Sequence, residues 1–320
     1  MKTSPTRSMA VRICAIAVAF ALGALGVGVA PAAASGVGPT ADSISIMGVS
    51  GGDLGYIRQN ETSFWVCANN VQDPAGVKTV TMNVSAIGKR YPGYDLTKVP
   101  MTRNWSKTST CPGFAYAPGT TWGATWASNN PLPEGTYQYS VTMTDYLGNQ
   151  TTQTGSVIVD NTPPKALDVQ STNGGATVGE AEQGDSITYS FSEPLQSFIA
   201  PPGGRSVVVH ITDAGSNDVL SVWNPSNTHD EGYMGSVSLG GDYVPATTTF
   251  GATGTPSTIA QSPTDPTKVI VTLGTPSGPT NTVTGVHQMV WSTGTGAFDR
   301  AGNHEVAGTV YQSNPSGPAF

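Results

Sequence analysis

Charge is what this chain has least of. Asp, Glu, Lys and Arg make up 11% of its 320 residues, against about 25% in an average globular protein, which argues against long, salt-bridged surface helices. Cysteine is nearly missing, at three residues, and the absence of any Cys-x-x-Cys pair removes dithiol redox chemistry. The 14 basic residues, set against 21 acidic ones, form no patch, so nucleic acid and anionic membrane are excluded as partners. The four histidines, His210, His229, His287 and His304, stand in four separate segments without a His-Glu-x-x-His pattern, so no ready-made metal-hydrolase ligand set exists. After residue 34 no apolar run approaches the ~18 residues of a membrane span, and stable membrane insertion is not expected.

The one long apolar run is at the start. Lys2, Arg7 and Arg12 precede Ile13 to Val29, and the small residues Ala32 to Ala34 follow, which is the layout of a cleaved secretory signal peptide over residues 1–34. Its removal takes three positive charges and no acidic ones, moving the net charge from −7 to −10. Cys14 leaves with it. Cys67 and Cys111 remain, an even number in an oxidising compartment, and a disulfide between them is expected. The expected location is secreted and extracellular.

Glycine and proline are abundant, at 39 and 24 residues. Between them lie short segments in which apolar residues alternate with Thr or Ser. Phe64, Val66 and Ala68 share one face of such a segment; Val80, Met82 and Val84, then Tyr137, Tyr139, Val141 and Met143, repeat the pattern. Ile187, Tyr189 and Phe191, then Val207, Val209 and Ile211, then Val269, Val271 and Leu273, continue it. Period-2 alternation bounded by turn residues predicts antiparallel strands buried on one face, hence an all-β chain of sandwiches. At "VIVDNTPPKAL" a strand runs into Pro163 and Pro164, which cannot continue a ladder, and this divides the mature chain into 36–162 and 163–320. The second half is the longer, with an insertion expected within residues 224–258.

The pattern Asp-x-x-Gly-Asn occurs twice, at Asp145 to Asn149 and Asp299 to Asn303. Asp can accept backbone N–H groups across a turn, and Gly and Asn tolerate the left-handed region, so each copy is expected to turn a closing hairpin. The stretches "GTYQYSVTMTDYLGNQTT", "VIVDNTPP", "GDSITYSFSEPL" and "FDRAGN" resemble bacterial immunoglobulin-like domains, tandem modules of secreted and surface proteins of the kind seen in actinobacteria. The resemblance implies two Ig-like β-sandwiches and leaves activity open. Residues 292–297, "STGTGA", offer almost no apolar face where a strand is expected, so that strand should be an edge or irregular.

Three tryptophans, Trp105, Trp122 and Trp126, lie among Thr, Ser and Gly and are candidates for a ligand-binding surface, either stacking on sugar rings or anchoring a protein partner; the competing reading places them in the core. Asp145, Asn149, Asp160 and Asn161 could together offer oxygen ligands to calcium at the domain junction. Glu193, followed by Pro194, is a candidate carboxylate for hydrolysis of a glycan, although its setting, "FSEPL", reads better as the end of a strand. The favoured function is a secreted, non-enzymatic module for binding, adhesion or spacing outside the cell, its partner an unknown extracellular protein or glycan. The alternative is an extracellular glycan-active hydrolase on a sandwich scaffold.

Overall fold

A computed structural model describes residues 36–105 and 118–320; the signal-peptide segment 1–34 and Cys111 lie outside the described residues. The chain is all-β, and Ser35–Phe320 forms one compact unit with two hydrophobic clusters, one drawn from residues 41–159 and one from residues 166–320.

The first cluster lies between two sheets. One is ordered β1 (Ser43–Gly48), β3 (Ser63–Asn69), β7 (Trp122–Ala127) and β6 (Thr102–Arg103). The other is ordered β2 (Tyr56–Arg58), β9 (Gln150–Asp160), β8 (Gly135–Asp145), β4 (Val77–Asn83) and β5 (Val99–Pro100). The expected alternation fills the space between them: Phe64 and Val66 from β3, Val80 and Met82 from β4, and Tyr139, Val141 and Met143 from β8 are buried. One pairing departs from the antiparallel expectation, because β2 runs parallel to β9 with Tyr56 opposite Ile158. The chain leaves β1 and crosses to the other sheet there, Gly55 N donating to the Ile46 carbonyl and Ile158 N to the Gly55 carbonyl, each at 2.8 Å.

The second cluster is wrapped by a curled sheet. Its order is β10 (Ala166–Thr172), β11 (Ser186–Phe191), β17 (Lys268–Thr272), β16 (Ser257–Gln261), β12 (Arg205–Thr212), β13 (Val219–Trp223), β14 (Ser236–Ser238), β18 (Val290–Ser292) and β19 (Thr309–Tyr311), with β15 (Thr248–Phe250) also on β12. The two ends of this order meet through side chains: Gln170 Nε2 donates to the Ser313 carbonyl at 2.6 Å, and Ser313 N donates to Asp168 Oδ1 at 2.9 Å. Trp291 is fully buried at the centre, edge-on to Tyr189 and Phe191 at 5.0 and 5.2 Å, and its Nε1 donates to the Met234 carbonyl. An indole buried with its N–H satisfied contributes area without an unpaired donor. Residues 224–258, where an insertion is expected, hold β14 and β15, and β18 stops at Ser292 where apolar residues run out.

Candidate functional site

The three candidate tryptophans part company. Trp122 is buried in the first core, as the core reading has it. Trp105 is half-buried and lies against Gly123. Only Trp126 meets an exposed cluster. Its Nε1 donates to the Lys89 carbonyl at 3.1 Å, and Tyr91 and Tyr94 stand across its ring at 5.9 and 5.4 Å, inclined by 77° and 63°. Both tyrosines are exposed, Tyr94 to 62%. They come from the loop between β4 and β5, and composition gave no reason to single out "RYPGYD". Lys89 Nζ lies over the Tyr91 ring at 5.6 Å.

The four-residue calcium set is not brought together. Asp145 and Asn149 turn the β8–β9 hairpin at one end, whereas Asp160 and Asn161 close β9 at the other, where Asn161 N donates to Glu134 Oε1 at 3.1 Å. The whole of the 11-residue β9 separates the pairs, roughly 35 Å of extended backbone.

The second Asp-x-x-Gly-Asn copy takes the place at the junction instead. The two corners are built alike. Asp145 Oδ1 accepts from Leu147 N and Asn149 N, and Asn149 Nδ2 donates to Oδ2. Asp299 Oδ1 accepts from Gly302 N and Asn303 N, and Asn303 Nδ2 donates to Oδ2. Gly148 and Gly302 adopt φ of 90° and 93°, a region closed to most side chains. Around Asp299, however, the two halves meet. Asn303 Nδ2 also donates to the Asp160 carbonyl at 3.1 Å, and Arg58 Nη1 donates to the Gly302 carbonyl at 3.4 Å. Asp53 accepts from Ser197 N and Oγ, its own N–H donates to the Arg300 carbonyl at 2.6 Å, and Arg300 Nε lies 3.8 Å from its carboxylate.

Three carboxyl groups converge at this seam: oxygens of Asp160, Glu193 and Asp299 all lie within 4.8 Å of one another. Burial, then the negative charges of Asp160 and Asp299, push the Glu193 carboxyl up to about 8. Asp299 is also raised, by burial first and further by the Asp160 charge, against hydrogen bonds from Asn303 and Gly302, while at the twin corner hydrogen bonds from Asn149, Leu147 and Gly148 outweigh a weaker burial and hold Asp145 below the usual range. The corners bond in much the same way, so the opposite shifts come from the seam, which buries Asp299 more deeply and, secondarily, sets the Asp160 charge beside it.

Other chemistry is dispersed. His210 stacks on Trp223 at 4.1 Å, and Glu231 of the His229–Glu231 cluster is committed to a two-pronged pair with Arg205. Gly48 to Gly52 carries a Gly-x-Ser-x-Gly order that is easily passed over; Ser50 Oγ donates to the buried Glu61 at 2.8 Å, and β1 runs into a turn there instead of the helix that a nucleophile elbow requires.

No family model and no curated protein matches the chain. Among solved structures, it is similar to dimeric latent PorU from Porphyromonas gingivalis at 12% identity and TM-score 0.27, over 88% of this chain and 21% of that one. Fibronectin(III)-like modules of Clostridium thermocellum CbhA align at 11% and 0.26, over 84% and 93%, and the C-terminal domain of the Streptococcus agalactiae AgI/II polypeptide BspA at 13% and 0.22, over 86% and 100%. Likeness this low carries nothing about activity.

Proposed function

We propose that the chain is a secreted, non-enzymatic protein of two Ig-like domains, residues 36–162 and 163–320, that binds a partner outside the cell through the aromatic cluster around Trp126. The observation that carries this is the exposure of Tyr91 and Tyr94 on a fixed indole, since large aromatic side chains left in solvent are the usual anchors of recognition surfaces. The signal-peptide layout of residues 1–34 supports export, and the parity of Cys67 and Cys111 in an oxidising compartment supports their pairing. The test is recovery of the protein from culture medium with a start near residue 35, followed by capture of envelope or medium components on the wild type and on Tyr94→Ala. Retention inside the cell, or capture that ignores the substitution, would sink the proposal.

One observation favours the hydrolase reading. Glu193 is held protonated near neutral pH beside Asp160, which is the acid and carboxylate pairing that glycoside hydrolysis uses. Turnover of a glycan panel that Glu193→Gln abolishes would establish it; no turnover at pH 5 to 8 would dismiss it.

A further inference from the structure

We infer that the pocket beside Trp126 is a saccharide site, an inference that rests on the binding-module reading and gives its ligand a chemical class. The pocket is lined by Ser85, Arg90, Tyr91, Tyr94, Asp95, Leu96 and Thr97 and has a volume of about 230 Å³. That is below the ~300–1,000 Å³ of pockets that enclose a drug-sized ligand, so it admits a ring and leaves the remainder of a chain in solvent.

The walls match a sugar in two respects. Tyr91 and Tyr94, propped at different inclinations against the Trp126 ring behind them, present aromatic surfaces suited to the C–H faces of a pyranose. Apart from the buried Leu96, the remaining lining is polar and mixed in role: Arg90 donates, the Ser85 and Thr97 hydroxyls do either, and Asp95 accepts. Asp95 takes both of its hydrogen bonds from Thr97, one from the amide and one from the hydroxyl, through Oδ1, which holds the carboxyl below its usual range and leaves Oδ2 for an incoming hydroxyl. A sugar ring carries apolar faces and hydroxyl edges on one small body. The desolvated centre of a protein interface asks for the opposite, apolar pockets depleted of charge.

The loop is already set for binding, so little ordering cost is left to the ligand. Ile87 and Leu96 anchor it in the core. Ser85 bonds Asn83, Gly88 N donates to the Val84 carbonyl at 2.7 Å, and Lys89 N donates to the Ala127 carbonyl at 2.8 Å. Gly88 lets the indole lie against the loop: a Cβ there would stand 3.0 Å from both Trp126 Cδ1 and the Val84 carbonyl.

The experiment is a glycan array probed with the full mature chain, with intrinsic tryptophan fluorescence titrated by any oligosaccharide that scores. The expected result is binding that falls by about tenfold or more, ~1.4 kcal/mol, in Tyr94→Ala and in Asp95→Asn. Binding should survive in Tyr94→Phe, and in Tyr146→Ala, which removes an equally exposed tyrosine elsewhere. All three positions are exposed, and unchanged melting confirms that each variant folds. Glycan binding that ignores Tyr94→Ala and Asp95→Asn overturns the assignment while leaving the module reading in place. A chain that binds no glycan overturns it as well; capture of a protein component that Tyr94→Ala abolishes then keeps the module reading alive, and capture of nothing ends both.

Discussion

Asn303 Nδ2 donates to the Asp160 carbonyl at 3.1 Å, tying the corner of the second sandwich to the last residue of β9 in the first. The same side chain closes its own corner on Asp299, as Asn149 does on Asp145. Asn303 therefore combines its corner bond with a bond across the seam. Asn303→Ala and Asn149→Ala should each cost about 1 kcal/mol for the lost corner bond. Asn303→Ala alone should also speed tryptic cleavage after Lys165, an exposed residue held by reciprocal bonds with Ser192, because cleavage of a folded chain follows local opening. Equal cleavage rates in the two variants would show that the seam does not depend on this bond.

The carboxyl cluster predicts an unusual pH dependence. Glu193 titrates near 8 in the folded chain and close to the ordinary ~4.3 when unfolded. Between those values the folded state holds a proton that the unfolded state has released, so stability falls as pH rises through that window. Asp145, Asp95 and Asp265 are shifted the other way, and what they contribute is lost on acidification below their usual range. Melting temperature should therefore peak near pH 5 and decline toward pH 8.5, with Glu193→Gln flattening the decline. Measurement in chelator keeps protons as the only titrant. A melting temperature that climbs from pH 5 to 8.5 in the wild type would refute the assignment.

Glu305 gives a separable effect. It is 2% exposed, and among the described residues neither carboxylate oxygen has a donor at full hydrogen-bond distance, the Ala166 amide lying farther off. Burial raises it to about 7, with the Ala166 amide offsetting part of the shift. A buried, unsatisfied carboxyl is a standing cost, and an apolar group of similar shape removes it. Glu305→Met should stabilise the chain by about 1–3 kcal/mol at pH 8 and by less at pH 5, where the wild-type side chain is already neutral. Destabilisation at both values in urea unfolding would mean that the carboxyl has a partner that matters.

The strands were legible because a period of two is a local property: Phe64 and Val66, or Ile187 and Tyr189, declare their shared face within a few residues. What joins strands is not local. Nothing in "YIR" announces parallel pairing with Ile158 to Asp160, and Trp65, half-buried and outside the core cluster, is no more conspicuous in the sequence than the buried Trp122. The corner motif is recognisable as a turn in the sequence, but its distance from the junction is not, for a physical reason. Asp145 is only 15 positions from Asp160, yet the strand between them is extended and carries the chain straight away. Asp299, far off in sequence, returns to Asp160 because the fold brings the two halves together there. The aromatic cluster was half visible: Trp126 stood out by type, whereas Tyr91 and Tyr94 acquire meaning only when the loop after β4 folds back onto β7.

Cys67 is buried on β3, opposite Gly123 of β7, and the segment that carries Cys111 leads into β7 from Trp105. A bond between the two cysteines would close a loop of about 45 residues and, by restricting the unfolded chain, would contribute roughly 4 kcal/mol. Peptide mapping of the secreted protein without reductant should find the Cys67 and Cys111 peptides joined. Reduction should lower the melting temperature of the first sandwich, while the second, whose core contains no cysteine, keeps its own. Cys67→Ala with Cys111→Ala should reproduce that drop and make the protein indifferent to reductant. Two free thiols in the secreted chain under denaturing, non-reducing conditions would dispose of the pairing, and the burial of Cys67 would then be a matter of packing alone.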